Sequence, residues 1–231
     1  MLQNLLALFA IADWIALAIF AIGWFAYSLI TDRVAGAYNG LTPVTHRMRL
    51  DWGRQMLRRE NRITDASLIG NLMSSVSFYA NTTIYIIAGL LAVAGTLDKL
   101  ITFTTELPFA RTVSPEIVEF KLFLLVGIFI FAYFKFTWCL RQFNFLSVLI
   151  GGAPPMSAAE EVLERYAQRF GTLNALAGDE FNRGIRAYYF GFAAITWFLN
   201  AAVFMAFTVM ILIVLWRRDF HSHTYRALGD P

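Results

Sequence analysis

The sequence predicts an all-α integral membrane protein with four transmembrane helices and amphipathic helices in the connections on the cytoplasmic side. Three observations lead there. Hydrophobic residues fill 58% of the 231 positions and charged residues only 15%, where a soluble domain carries roughly a quarter. The apolar residues collect in four runs, 5–30, 67–97, 120–150 and 187–216, each longer than the about 20 residues that a spanning helix needs. Arginine and lysine then concentrate in alternate connections, as the positive-inside rule requires of a multi-pass chain.

The first run, "LLALFAIADWIALAIFAIGWFAYSLI", lacks the basic flank of a secretory signal and is far longer than a signal's apolar core. It is expected to stay as a membrane anchor. Aromatic residues gather near several run ends, at Trp24, Tyr27, Tyr188, Tyr189 and Trp216, which suits an interfacial belt. The single cysteine, Cys139, lies inside an apolar run and reads as a small core residue.

Residues 31–66 carry seven arginines against four acids, and residues 151–186 carry four arginines against five. The connection 98–119 has only Lys99 and Arg111 against four acids. Both long connections are therefore expected on the cytoplasmic side, with both termini outside. Arg217 and Arg218, directly after the last run, argue against that placement of the C-terminus; a miscounted span or a re-entrant segment would reconcile them.

Each long connection reads as helix. Thr42 precedes Pro43, the pattern of a cap followed by proline in the first turn. Met48, Trp52 and Met56 then recur at four-residue spacing among arginines, as in a helix lying on an anionic leaflet. Ser157 and Glu160 have capping-box spacing, ahead of an apolar stripe of Val162, Leu163, Tyr166, Phe170 and Leu173.

The chemistry the sequence lacks bounds its function. His46, His221 and His223 all lie outside the apolar runs, so paired haem ligands within the spans are not expected. No phosphate loop, nucleophile elbow or zinc-protease motif occurs. His221 and His223 form a pair without a supporting carboxylate or thiol cluster. No metal, cofactor, nucleic-acid partner or enzymatic activity is expected.

Polar groups inside the apolar runs are the unusual feature, since intramembrane charges are rare and mark pathways, partners or structural pairs. Asp13 lies in the first run. Lys121, Ile128, Lys135 and Gln142 recur every seven residues in the third and share a helix face. In the second, Asn71, Ser74, Phe78, Asn81 and Tyr85 follow helical spacing beside the small residues Ser75, Thr82 and Gly89. The expectation is an intramembrane cluster of Asp13, Asn81, Lys135 and Gln142. In it Lys135 pairs with Asp13 across a depth offset of about 10 Å, at 1.5 Å per helical residue.

The stretch "RRENRITDASLIGNLMSSVSFYANTTIYIIAGLLA" resembles the uncharacterised integral membrane family called domain of unknown function 599. Asp13-Trp14, "KFTWCLRQFNF", "GGAPP", "NRGIRAYYFGFAAITWF" and "VLWRRDF" carry the same resemblance through nearly the whole chain. It implies a multi-span bacterial membrane protein and brings no activity or ligand with it. It also picks out an Arg-Glu-Asn-Arg-x-x-Asp motif: Arg59, Glu60, Asn61, Arg62 and Asp65. These side chains can pair at three- and four-residue spacing, either as an interfacial clamp or as a cytoplasmic site for an anion, a lipid head group or a partner loop. Arg183 and Arg186 are expected on the same membrane side, where the two motifs could meet. Two function classes fit this reading. One is an accessory or scaffold subunit that docks a membrane-protein partner through its arginine-rich face. The other is a homo-oligomeric small transporter or channel with a route past Asp13, Asn81 and Lys135.

Overall fold

The structure, a computed structural model, describes residues 9–33, 40–96 and 114–229. Seven helices account for nearly all of them: α1 (Ile11–Arg33), α2 (Leu41–Leu57), α3 (Ile63–Ala94), α4 (Pro115–Gly151), α5 (Glu160–Thr196), α6 (Ala201–His221) and the short α7 (His223–Gly229). Four of them, α1, α3, α4 and the stretch beginning with α6, are long and apolar enough to cross a membrane.

The predicted fourth run, 187–216, is not one helix. Ala187–Thr196 is the last part of α5, the chain turns over Trp197–Asn200, and α6 starts afresh at Ala201. The Asn200 side chain accepts a hydrogen bond from the Val203 amide at 2.8 Å, the N-cap arrangement that lets a new helix begin. Predicted caps elsewhere move as well. Gly40 rather than Thr42 precedes α2, and Ala159 rather than Ser157 precedes α5.

The α4–α5 pair is the spine. Both helices have 37 residues, about 55 Å at 1.5 Å per residue, and they pack antiparallel along their whole length. Lys121 meets Trp197, Phe129 faces Gly191, Phe136 packs on Gly184, and Tyr166 reaches Leu149. Helix α3 runs antiparallel to α4, with Tyr79 stacked on Phe136 and Arg62 bonded to the Ala153 and Pro154 carbonyls. Helices α1 and α6 lie parallel to each other against the Trp197 end of α5. Phe20 packs on Phe190 and Phe204, while Trp24 stacks on Phe190 at 4.9 Å.

Helix α2 continues down α5 where α1 stops. Its contacts run from His46–Asp179 through Arg54–Glu164 to Arg58–Glu160. Most of the predicted apolar face meets protein rather than lipid: Met56 is fully buried and Trp52 packs edge-on against Phe170, while Met48 is exposed. So α2 stands along the bundle instead of lying across it. Its close approach depends on Gly53 and Gly171. A Cβ on Gly171 would fall 2.6 Å from the Leu50 Cα, and one on Gly53 would fall 2.9 Å from the Ala167 carbonyl oxygen.

These lengths divide the molecule in two. Helices α1 and α6, of 23 and 21 residues, match the about 30 Å of a hydrocarbon layer. Helices α3, α4 and α5 overshoot that thickness by roughly 20 Å, all toward the end that carries α2. The turn at Trp197–Asn200 also brings the end of α6 back to this side, where Tyr27 donates to Asp219 at 2.6 Å and Phe220 packs on Gly40. Arg217 and Arg218 thereby join the same end as the arginines of α2 and α5.

Two outcomes follow. Gly171→Ala should destabilise by about 1–3 kcal/mol through overpacking against the Leu50 backbone. Gly127→Ala, in open space, should be neutral or slightly stabilising; melting curves in detergent compare them. In a background without Cys139, Gln55→Cys and Arg226→Cys should react with an impermeant thiol reagent from one membrane side and Glu116→Cys from the other. Labelling of Arg226→Cys and Glu116→Cys from the same side would contradict the turn.

Candidate functional site

The charged residues occupy two layers with an uncharged slab between them. No Asp, Glu, Lys or Arg occurs in 14–31 of α1, 66–94 of α3, 122–134 of α4, 187–196 of α5 or 201–216 of α6. The absence has a direct physical cause, because an ionised side chain at the bilayer centre costs several kcal/mol even by lenient scales.

One layer closes the Trp197 end. Asp13 accepts a hydrogen bond from the Trp197 indole at 2.7 Å. The Lys121 ammonium is buried, donates to the Trp197 carbonyl at 2.8 Å and lies 5.0 Å from the centre of the Trp197 ring. Trp197 ends α5, so the lysine satisfies a carbonyl that has no partner within the helix. Phe9 and Phe120 pack around the same indole.

The second layer lies where α1 ends, and its residues form a chain of ion pairs across three helices. Lys135 of α4 binds Glu180 of α5 at 2.9 Å. Glu180 also pairs with Arg183 one turn on. Arg183 reaches Asp32 of α1 at 2.9 Å, and Arg186 reaches the same carboxylate at 2.7 Å while bonding the Thr31 hydroxyl. Beside this chain the Asp219 carboxylate takes Tyr27 and Arg218, and Arg218 lies over the Tyr189 ring. Every carboxylate here has at least two donors. That is the condition under which a poorly solvated charge is tolerated.

The predicted partnership of Lys135 with Asp13 is therefore replaced by Lys135 with Glu180. Glu180 and Trp197 are 17 positions apart on α5, about 25 Å along the axis, so Asp13 and Lys135 belong to opposite layers. Asn81 does not join either; it points outward from α3 and is exposed. Gln142 is buried two turns beyond Lys135, level with Asn174 in the α4–α5 register. Asn174 in turn receives Arg49, which bonds both its carbonyl and its side-chain oxygen. Burial depresses the Arg49 guanidinium from its usual value.

The Arg59–Asp65 motif sits at the far end of the bundle. Asp65 is 0% exposed; its carboxylate takes Arg59 at 2.7 Å and the Trp52 indole at 2.7 Å. Arg62 ties the α4–α5 connection through two carbonyls, and the Asn61 side chain accepts from the Ile63 amide at 2.8 Å. With Glu60, Asn61 and Arg62 line a surface cleft of about 550 Å³. Trp52 packs on Phe170, 13 residues from Arg183 on α5, so this motif and the Arg183–Arg186 pair stay about 20 Å apart. They do not meet. Arg54 hydrogen-bonds Glu164 and holds its carboxyl below the usual glutamate range.

Sequence reasoning missed Glu180, Asp32, Asp219 and Trp197. Two signals were available. Glu180 and Arg183 share a face at three-residue spacing, and two glycine pairs at seven-residue spacing, Gly171 with Gly178 and Gly184 with Gly191, mark two faces of α5 as closely packed.

Glu180→Gln strands Lys135 and leaves Arg183 with Asp32 alone, and should cost roughly 3 kcal/mol in detergent. A double-mutant cycle of Lys135→Met with Glu180→Gln should give a coupling of about 1 kcal/mol or more. The same cycle between Lys135→Met and Asp13→Leu should be additive within about 0.5 kcal/mol. Strong coupling of the second pair alone would refute the layer assignment.

A family model described as "Protein of unknown function, DUF599" matches residues 15–224, which takes in every residue of the second layer and of the Arg59–Asp65 motif. No curated protein matches the chain, and no solved structure does. The match covers all but the extreme ends of the bundle, and on that extent the chain belongs to the DUF599 family of proteins of unknown function.

Proposed function

We propose that this protein is a multi-pass protein of a bacterial inner membrane that acts without catalysis as an accessory or scaffold subunit, presenting a basic helical platform to a partner on the cytoplasmic side. The observation that carries this reading is the projection of α2 and the distal halves of α3, α4 and α5 beyond the level at which α1 and α6 end. Fifteen of the sixteen arginines lie in segments at or past that level, and the sixteenth, Arg111, lies outside the described residues. Such a distribution favours a cytoplasmic placement of that end.

The platform has cations to spare. Arg47 of α2 and Arg169 of α5 are exposed and have no ion-pair partner among the described residues. Between α2 and α5 runs a groove of about 460 Å³, lined by His46, Arg47, Leu50, Gln168, Leu176 and Asp179 among others. The exposed Arg47 at the rim of this groove and Arg169 on the same platform suit an acidic protein surface.

An oligomeric transporter with a route past Asp13, Asn81 and Lys135 is the alternative. The geometry does not favour it, because Asp13 and Lys135 are in separate layers and Asn81 faces outward. The slab between the layers is filled by aromatic packing.

Gentle solubilisation followed by native mass measurement tests the proposal. The expected result is a fixed ratio to a foreign chain, released when Arg47 and Arg169 are changed to Glu without loss of thermal stability. A chain free of foreign protein, with ion flux in vesicles that Glu180→Gln removes while the fold persists, would overturn it.

A further inference from the structure

Arg141 differs from the other arginines near the second layer. Arg183, Arg186 and Arg218 all hold carboxylates. Arg141 has none among the described residues, is exposed, and rests over the Phe145 ring at 5.0 Å. It belongs to the outer face of α4, a stripe that runs through Phe123, Phe134, Trp138 and Arg141 to Phe145. Trp138, one turn before it, is 51% exposed, and Asn144, one turn after, is exposed as well.

The depth of this strip follows from helix length. Lys135 belongs to the second charged layer, about 21 Å along α4 from Lys121 in the first, and so marks the edge of the uncharged slab. Trp138 is about 4–5 Å further and Arg141 about 9 Å further. The polar head-group zone occupies the next 5–8 Å or so on each side of the hydrocarbon. An exposed indole within that zone and a guanidinium at its outer margin give two side chains suited to one head group; Asn144, about 13–14 Å beyond Lys135, lies past it. The indole packs against glycerol and acyl carbons, and the guanidinium forms paired hydrogen bonds to a phosphate.

We infer that Trp138 and Arg141 form a binding site on the outer face of α4 for the phosphate of an anionic phospholipid in the leaflet next to the platform. The Phe145 ring beneath the guanidinium holds it flat and limits the entropy lost on binding. The site does not depend on the scaffold role, since a transporter of the same fold would carry it too.

The test uses the full chain purified in a neutral detergent, with phosphatidylglycerol, phosphatidylcholine or inorganic phosphate added at equal concentration. Native mass spectra and melting curves are recorded for the wild type, Arg141→Gln, Arg141→Lys and, as a control on the platform, Arg47→Gln. Phosphatidylglycerol should be retained by the wild type and Arg47→Gln and should raise their melting temperatures more than phosphatidylcholine does. Arg141→Gln should bind about tenfold more weakly, the loss of one charge-assisted contact, with Arg141→Lys between. Equal retention by wild type and Arg141→Gln would overturn the site. So would a wild type that does not prefer phosphatidylglycerol to phosphatidylcholine, a result that needs no variant to fold. Stabilisation by inorganic phosphate equal to that by phosphatidylglycerol would reassign it to a free anion and refute lipid recognition.

Discussion

A charge in hydrocarbon costs far more than a charge in water, and the placement of every ionised side chain in this bundle follows from that cost. The helices do not avoid charge along their lengths. They avoid it within one slab, and α1, α4, α5 and α6 place their first charged residues where the slab ends: Asp13 and Asp32 on α1, Lys121 and Lys135 on α4, Arg186 on α5, Arg217 on α6. Lys135 lies in the middle of an apolar helix and yet at the edge of the layer, because α4 is nearly twice as long as the layer is thick. Its apparent depth in the sequence is a consequence of helix length.

Within the slab, cohesion comes from packing of aromatic rings. Phe20, Trp24, Phe190 and Phe204 form one group and Tyr79, Phe136, Phe181 and Tyr188 another, each ring pair worth about 0.5–1.5 kcal/mol beyond its buried area. The ion pairs at the boundary contribute in another way. Three of them, Lys135–Glu180, Arg183–Asp32 and Arg186–Asp32, join different helices, so a helix that shifted by one turn would leave carboxylates and cations apart in a poorly solvated place. Aromatic packing holds the helices together, and the boundary charges fix their register.

Much of this was legible in the sequence, and the rest was hidden for definable reasons. Composition and run length gave the helical membrane class and four of the long helices, because hydrophobic length is a direct physical requirement. The boundary of the last span was not legible. Ala187–Thr196 and Ala201–Trp216 are both apolar, and four residues of turn between them leave no dip in hydropathy. Arg217 and Arg218 did carry the missing information, since their position was inconsistent with a single span there. The partner of Lys135 was hidden because Glu180 lies in a charged segment that reads as a surface connection. Only the tertiary register of α4 on α5 brings Glu180 to the lysine.

The turn at Trp197–Asn200 has a consequence for how the chain is made. The uncharged part of α5 that lies in the slab is ten residues, Ala187–Thr196, about 15 Å of helix and half of what a bilayer demands. As it leaves the ribosome this segment is too short and too charged at its start to be recognised as a span. Helix α6 follows at once and is long enough on its own. The two must therefore enter the membrane together as a hairpin, after α4 is in place to receive Glu180 and Trp197. The least apolar long helix of the bundle is inserted by its neighbours, and the order of translation supplies them in time.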